Sequence, residues 1–428
     1  MAFEFYDTSS FEFYDTTSFG FDTFYDTDTL GVVAVNEYLF LFPNWAQSVY
    51  LRKEWRTSIL RSLTGKETRS EIITSPVRSL RYALLNLSTY ETNLLKRKIY
   101  KNLHNIWGIP YWMDSTPLLS LVSIGDITIS VDTTNRNFYI GGLCVILKSE
   151  TEYEVKTISM LDAATITVNS PAEASWNIGT NVYPILKSTL NSTQNFSYLT
   201  DIASEISLEF TEILDISMPF SVTSIEWDIY KTHDLFPLYP NFQSEISLDI
   251  SRDIEQTVFY GVQYRRSYQE ESNIKIANKY LFDTKVDAPE LISFFDQKMG
   301  MYESFWLPSY LSDIVITDAF LSTDTVFSVE NVDWDNYWLD NVTTGKFLNF
   351  RFPNGTNIQK QILEEDTPGS ITLTEAIGVA CSAAELPMLT VSFLYLVRFN
   401  MDALDLEYVT NEIVQAEVSF STLNEAVL

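Results

Sequence analysis

Leu41-Phe42-Pro43-Asn44-Trp45 returns 197 residues later as Leu238-Tyr239-Pro240-Asn241-Phe242. An internal repeat constrains a fold more than any local propensity, because the same supersecondary plan must be built twice. Other landmarks keep the order. Gly65 with Arg69 matches Gly261 with Arg265, and Ser88-x-x-Glu91 matches Asp287-x-x-Glu290. Tyr111-Trp112 pairs with Phe305-Trp306, Asp126-Ile-Thr-Ile-Ser-Val131 with Asp324-Thr-Val-Phe-Ser-Val329, and Thr165-Ile-Thr-Val168 with Ile371-Thr-Leu-Thr374. The offset drifts only by loop-sized steps, so the chain reads as a tandem duplication.

Each half follows one plan. After Pro-Asn, two strands run out and back around the glycine, with 46–62 and 70–87 as the two arms in the first half. A helix follows, over 89–104 in the first half and 288–299 in the second. Ser88 with Glu91, and Asp287 with Glu290, can satisfy backbone N–H groups that the first helical turn leaves unpaired. Leu94, Leu95, Ile99 and Leu103 give the first helix one apolar face. Leu291, Phe294, Phe295 and Met299 do so in the second, and Gly300 is a natural stop. Short alternating segments then predict strands at 126–131, 153–158 and 164–168, punctuated by Gly141-Gly142 and Asn169-Ser-Pro171. Such spacing suggests a small barrel or sandwich. Strands at 206–210 and 222–227 close the first unit, and 404–422 supplies a closing strand for the second.

The expected class is therefore α+β, mostly β. The divisions are a 1–40 arm, a first unit at 41–116, a β module at 117–190 and closing strands with linker at 191–236. A second unit occupies 237–309, a second β module 310–400, and a closing strand 401–428. A chain of 428 residues with 46% hydrophobic content can fill such cores. Only two cysteines are present, Cys144 and Cys381, one in each half, which is no disulfide framework. The first residues lack the basic start and apolar core of a signal peptide. No apolar run approaches the length of a membrane span, so none is expected.

The net charge of −29 opposes sequence-independent binding of nucleic acid, which needs clustered Lys and Arg. The charge is uneven. Residues 51–101 hold twelve basic and four acidic residues, a net +8, which leaves −37 for the rest. A basic region in an acidic chain suits an acidic neighbour, another copy included. Arg52, Arg56, Arg61, Arg69, Arg78, Arg81, Lys96 and Lys98 are its interface candidates. The arm repeats Phe3-Glu-Phe-Tyr-Asp-Thr8 as Phe11-Glu-Phe-Tyr-Asp-Thr16 and holds no Lys or Arg through residue 30. Phe3, Phe5, Tyr6, Phe11 and Tyr14 either belong to a disordered segment or add a strand to a neighbouring subunit.

No catalytic signature is present. His104 and His233 are the only histidines, and neither lies at metal-ligand spacing. Glycosidases use paired carboxylates. Acidic residues are so frequent here that Glu364-Glu365-Asp366, or Asp333 with Asp335, carries little information. No cofactor or metal is expected, and the chain reads as non-enzymatic. Trp334-Asp-Asn-Tyr-Trp338 offers an alternative function. Trp334, Tyr337 and Trp338 either stack on sugar rings of a host glycan or form an intersubunit contact or a satellite core.

Two stretches of about 70 residues carry a resemblance. Leu63-Thr-Gly65-Lys-Glu67-Thr-Arg69 fits a Gly-x-Glu-x-Arg hairpin, and Phe294-Phe295-Asp296-Gln297-Lys298-Met299-Gly300 leads to Phe305-Trp306. This resembles the tail-tube-fold proteins of long-tailed bacteriophages and gene transfer agents, in hub and distal-tail roles. The first half departs from the helix motif, with Leu103-His104-Asn105-Ile106-Trp107-Gly108 in its place, and Gln263 replaces the hairpin glutamate in the second half. The resemblance implies two tail-tube-like units, each of antiparallel sheets plus one helix, in a virion protein of the tail tip or baseplate. It implies a self-assembled ring, either a trimer with pseudo-sixfold symmetry or a hexamer, assembled in the host cytoplasm. The tail tube protein and other tail-tip proteins would be its partners, with DNA only in passage.

Overall fold

The computed structural model describes residues 34–62, 64, 66–213, 225–242, 245–269, 271–282, 287–330, 345–367 and 369–423. The described residues are mostly antiparallel β with two α-helices. Its first half opens with β1 (Glu37–Tyr38), β2 (Val49–Glu54), β3 (Thr57–Arg61), β4 (Glu67–Glu71) and β5 (Val77–Asn86), then α1 (Thr89–Asn102). It continues through β6 (Ile106–Pro110), β7 (Thr116–Pro117), β8 (Thr128–Ser130), β9 (Leu143–Leu147) and β10 (Tyr153–Asp162). β11 (Thr165–Val168), β12 (Asn181–Leu190), β13 (Ser197–Tyr198) and β14 (Ser204–Glu212) complete it. The second half contains β15 (Ile229–Tyr230), β16 (His233–Asp234), β17 (Ser247–Ser251), β18 (Glu255–Phe259), β19 (Val262–Arg266) and β20 (Asn273–Phe282), then α2 (Asp287–Gln297). β21 (Phe305–Pro308), β22 (Val326–Ser328), β23 (Phe347–Arg351), β24 (Asn357–Thr367) and β25 (Ser370–Leu373) follow. The last strands are β26 (Thr390–Phe399), β27 (Ala403–Tyr408) and β28 (Val414–Thr422).

Most pairings of the first half have a counterpart in the second. β2 pairs with β5 as β17 does with β20, and β3–β4 and β18–β19 are both hairpins. β14 lies between β5 and β12 as β28 lies between β20 and β26. The order β8–β11–β10–β9–β12 reappears as β22–β25–β24–β23–β26. The parallel pairing of Tyr38 with Gly108 returns as a bridge between Leu235 and Trp306. By register, Phe305–Pro308 stands where Trp107 to Pro110 stands, both running beside the same part of their β12 or β26 partner. The sequence had set Phe305-Trp306 against Tyr111-Trp112, an aromatic match a few residues out of step.

Alternation shows why these segments are strands. In β28, Val414, Ala416, Val418, Phe420 and Thr422 are buried while the residues between them are more exposed. This is the period of two that one covered sheet face requires. β26 is buried almost throughout, because its two faces meet different cores. Phe393, Tyr395, Val397 and Phe399 join the main core, whereas Leu394 and Leu396 pack with Trp306, Phe347 and Leu423. A separate cluster around Val131, Cys144, Ile158, Ile166 and Trp176 fills the β segment between α1 and β13.

Ser88 caps α1: its hydroxyl accepts from Glu91 N at 3.2 Å, and the Glu91 carboxylate accepts from Leu87 N at 3.2 Å. The helix ends at Asn102, two residues short of the expected end, and the Trp107 indole donates to the Asn102 carbonyl at 3.1 Å. α2 ends at Gln297 because Met299 (φ 49°) and Gly300 (φ 63°) leave the right-handed region. The two arms expected at 46–62 and 70–87 are each broken once. The first gap falls at Trp55 and Arg56, where Trp55 N donates to the Asp402 carbonyl at 2.8 Å, one step beyond the last β2–β27 pair, and Pro76, lacking an N–H, lies in the second gap. Residues 225–227, expected in a strand, are irregular; the rest of that expected strand lies outside the described residues. Among the described residues, no helix is long and apolar enough to cross a membrane.

Candidate assembly interface

The two halves meet edge to edge. β2 pairs with β5 on one side and with β27 on the other, in a register from Val49 opposite Tyr408 to Glu54 opposite Ala403. Its inward face presents Val49, Leu51 and Lys53, all buried. Leu404, Leu406 and Tyr408 cover the matching face of β27. On the outer face Arg52 meets Asp405 at 3.3 Å, and Glu407 accepts from Ser48 Oγ at 2.7 Å and Tyr50 Oη at 3.1 Å.

Beneath this strand pair, the Lys53 ammonium is paired with the Asp296 carboxylate of α2, both side chains less than one-tenth exposed. The Trp55 indole donates to the same carboxylate at 3.3 Å. Burial lowers the pKa of Lys53 even with Asp296 beside it. The turn between β26 and β27 is fastened by Asp402, which accepts from Thr57 N at 2.7 Å, Thr57 Oγ1 at 2.9 Å and Met301 N at 2.9 Å. Arg69, on the β3–β4 hairpin, donates to the Met301 carbonyl. Gly300 is needed here twice over. Its φ of 63° suits glycine, and a Cβ would sit 2.8 Å from Asp402 Oδ1 and 3.2 Å from Trp55 Cβ. Gly300→Ala is expected to cost about 1–3 kcal/mol in urea unfolding, the usual range for forcing atoms into a packed site. A loss below about 0.5 kcal/mol, typical of surface changes, would show that this joint is loose.

Several basic interface candidates face inward. Arg78 forms a two-pronged pair with the buried Glu212 carboxylate, at 2.6 Å and 2.5 Å. Arg69 is covered and pairs with Glu67, which also lies 3.7 Å from Arg398. Arg69 and Arg78 are thus both engaged in ion pairs within the chain. A buried cation must find a partner, and an acidic chain supplies one locally. Arg81 lies over the Tyr50 ring at 4.5 Å, Lys98 reaches Glu37 at 3.2 Å, and Arg61 lies 3.7 Å from Asp253. Arg56 and Lys96 remain exposed, as does His104. His233 Nδ1 lies 3.4 Å from Ser304 Oγ. Phe3, Phe5, Tyr6, Phe11, Tyr14, Trp334, Tyr337 and Trp338 lie outside the described residues, as do Asp333 and Asp335.

A cleft of about 540 Å³ opens beside the joint, lined by Lys53, Arg78, Asp114, Arg136, Glu290 and Tyr408 among others. Most of its charges are already engaged. Arg136 is held by Asp132 at 2.7 Å, and Asp114 accepts from Asn137 N at 2.9 Å and Asn137 Nδ2 at 2.6 Å. The arrangement serves to clamp two halves together. Its long-range pairings, β2 with β27 and Lys53 with Asp296, have no local sequence signal. Comparison with protein-family models and with curated proteins gives no match to the chain.

Proposed function

We propose that the chain is a non-catalytic structural protein of a phage-type tail tip or baseplate, built from two tandem tail-tube-like units. The first unit comprises 41–116 with its β module at 117–190 and closing strands in 191–236. The second comprises 237–309, a module at 310–400 and closing strands in 401–428. The observation that carries this reading is the recurrence of the strand pairings in both halves, joined edge to edge through β2 and β27. Units joined laterally by strand pairing suit a ring, because closure removes exposed sheet edges. Three such chains would present six similar faces to a hexameric tail tube; six chains would stack two layers. The net charge of −29 suits a channel through which DNA passes without sticking.

Negative-stain images of the purified chain, alone and mixed with tail-tube protein, test the assignment. Closed rings with a central opening, capping the end of the tube, are expected. Particles that form no ring and leave tube ends bare would refute it.

A further inference from the structure

The joint inside the chain has a counterpart that is left open. β17 corresponds to β2, since each pairs with the long strand before its helix. β13 corresponds to the end of β27, since each hairpins with the last strand of its half. Tyr198 opposite Ser204 matches Tyr408 opposite Val414. The turns that follow agree bond for bond. Leu199 N donates to the Ala203 carbonyl at 2.9 Å and Val409 N to the Ile413 carbonyl at 3.0 Å. Thr200 Oγ1 accepts from Ala203 N at 3.0 Å, as Thr410 Oγ1 does from Ile413 N at 3.0 Å.

Where the joint is made, these residues are buried; where it is not, their counterparts are bare. Leu51 is 3% exposed and Leu248 38%; Lys53 is 6% exposed and Ile250 66%; Tyr408 is 7% exposed and Tyr198 52%. β17 pairs only with β20 among the described residues, and β13 only with β14. The β18–β19 hairpin follows the same rule. Its counterpart, β3–β4, is fastened to the turn after α2 by Arg69, whereas every residue of β18 and β19 is exposed, apolar Val258, Phe259 and Tyr264 included. A bare, apolar sheet edge is a template for another strand.

We infer that the free edge of β17 receives residues 193–198 of a second copy of this chain, in the register that β2 makes with β27. That register sets Ile246 opposite Tyr198, Leu248 opposite Phe196 and Ile250 opposite Gln194 on the inward face. It sets Ser247 opposite Ser197, Asp249 opposite Asn195 and Ser251 opposite Thr193 on the outer face. No like charges meet, a condition cross-strand pairs require. The short β13 would lengthen to match β27, and the β18–β19 hairpin would dock on the second copy. The contact is head to tail, so it propagates around a ring. The inference rests on the tandem-unit reading above and names the surfaces that close the ring.

The test is disulfide trapping in the full chain. Asn195→Cys with Asp249→Cys places two thiols at directly opposed positions, on exposed sites where folding is unaffected. Cys144 and Cys381 are buried and stay in place. Mild oxidation is expected to convert more than half of the chains to covalent dimers and higher species. Asp249→Cys with Tyr90→Cys, the latter on the exposed face of α1, is expected to give none. Rings in electron micrographs without covalent oligomers from the 195/249 pair would overturn this register and leave the ring reading standing. A chain that stays monomeric would overturn both. If Asp249→Cys is instead trapped within its own chain by a cysteine placed in residues 1–33, the edge belongs to the arm and the inference fails.

Discussion

Asp296→Ala is expected to lose about 3–5 kcal/mol of stability, read as a lowered urea midpoint with an unchanged slope. The reason is the position of Lys53. Its ammonium leaves β2 of the first half, enters the core beneath the strand joint, and meets the Asp296 carboxylate of α2 in the second. Truncating Asp296 leaves that cation covered and removes the carboxylate to which the Trp55 indole donates. The pair itself is a different matter, because taking two charges out of water costs about as much as their attraction returns. Lys53→Met with Asp296→Leu, of similar volume, is therefore expected to recover most of the loss. An Asp296→Ala variant within about 1 kcal/mol of the parent, as for an exposed pair, would mean that Lys53 reaches water and the halves are not clamped there.

Phe294→Ala is the second large effect, again about 3–5 kcal/mol. Phe294 is fully buried in α2 at the centre of an aromatic cluster. Its ring lies 5.1 Å from Phe236, 4.9 Å from Phe305, 5.3 Å from Trp227 and 6.2 Å from Phe399, with edges directed at faces. These contacts join the helix to β21, to β26 and to the irregular segments that carry Trp227 and Phe236, so no one neighbour can move in to fill the space. Phe42→Ala, at a half-exposed ring, is expected to cost about 1 kcal/mol or less. Equal losses from the two substitutions, measured by urea unfolding, would contradict this account of the core.

Much of the local order was legible in the residues. Ser88 with Glu91 announced a capped helix, Gly300 marked the end of the second, and the alternation at 126–131 and 164–168 marked strands that form close to those places. These signals have periods of two or 3.6 residues and need no knowledge of distant chain. What escaped the sequence is non-local. Nothing in Val49–Glu54 says that its second neighbour is Ala403–Tyr408, because both strands carry ordinary alternation and neither encodes the address of the other. The basic run 51–101 is silent on its partners for a related reason. Arg78 reads the same in sequence whether it faces solvent or the buried Glu212 carboxylate. The aromatic landmark at Tyr111-Trp112 misled because Trp107, not Trp112, runs beside β12 at the equivalent place.

Native mass spectrometry of the purified chain at micromolar concentration is the most direct measurement of the central claim, that paired tube-like units close a ring. The expected spectrum is dominated by three times the 49.1 kDa chain, with a sixfold species as the alternative closed ring. A stable monomer as the sole species would contradict it.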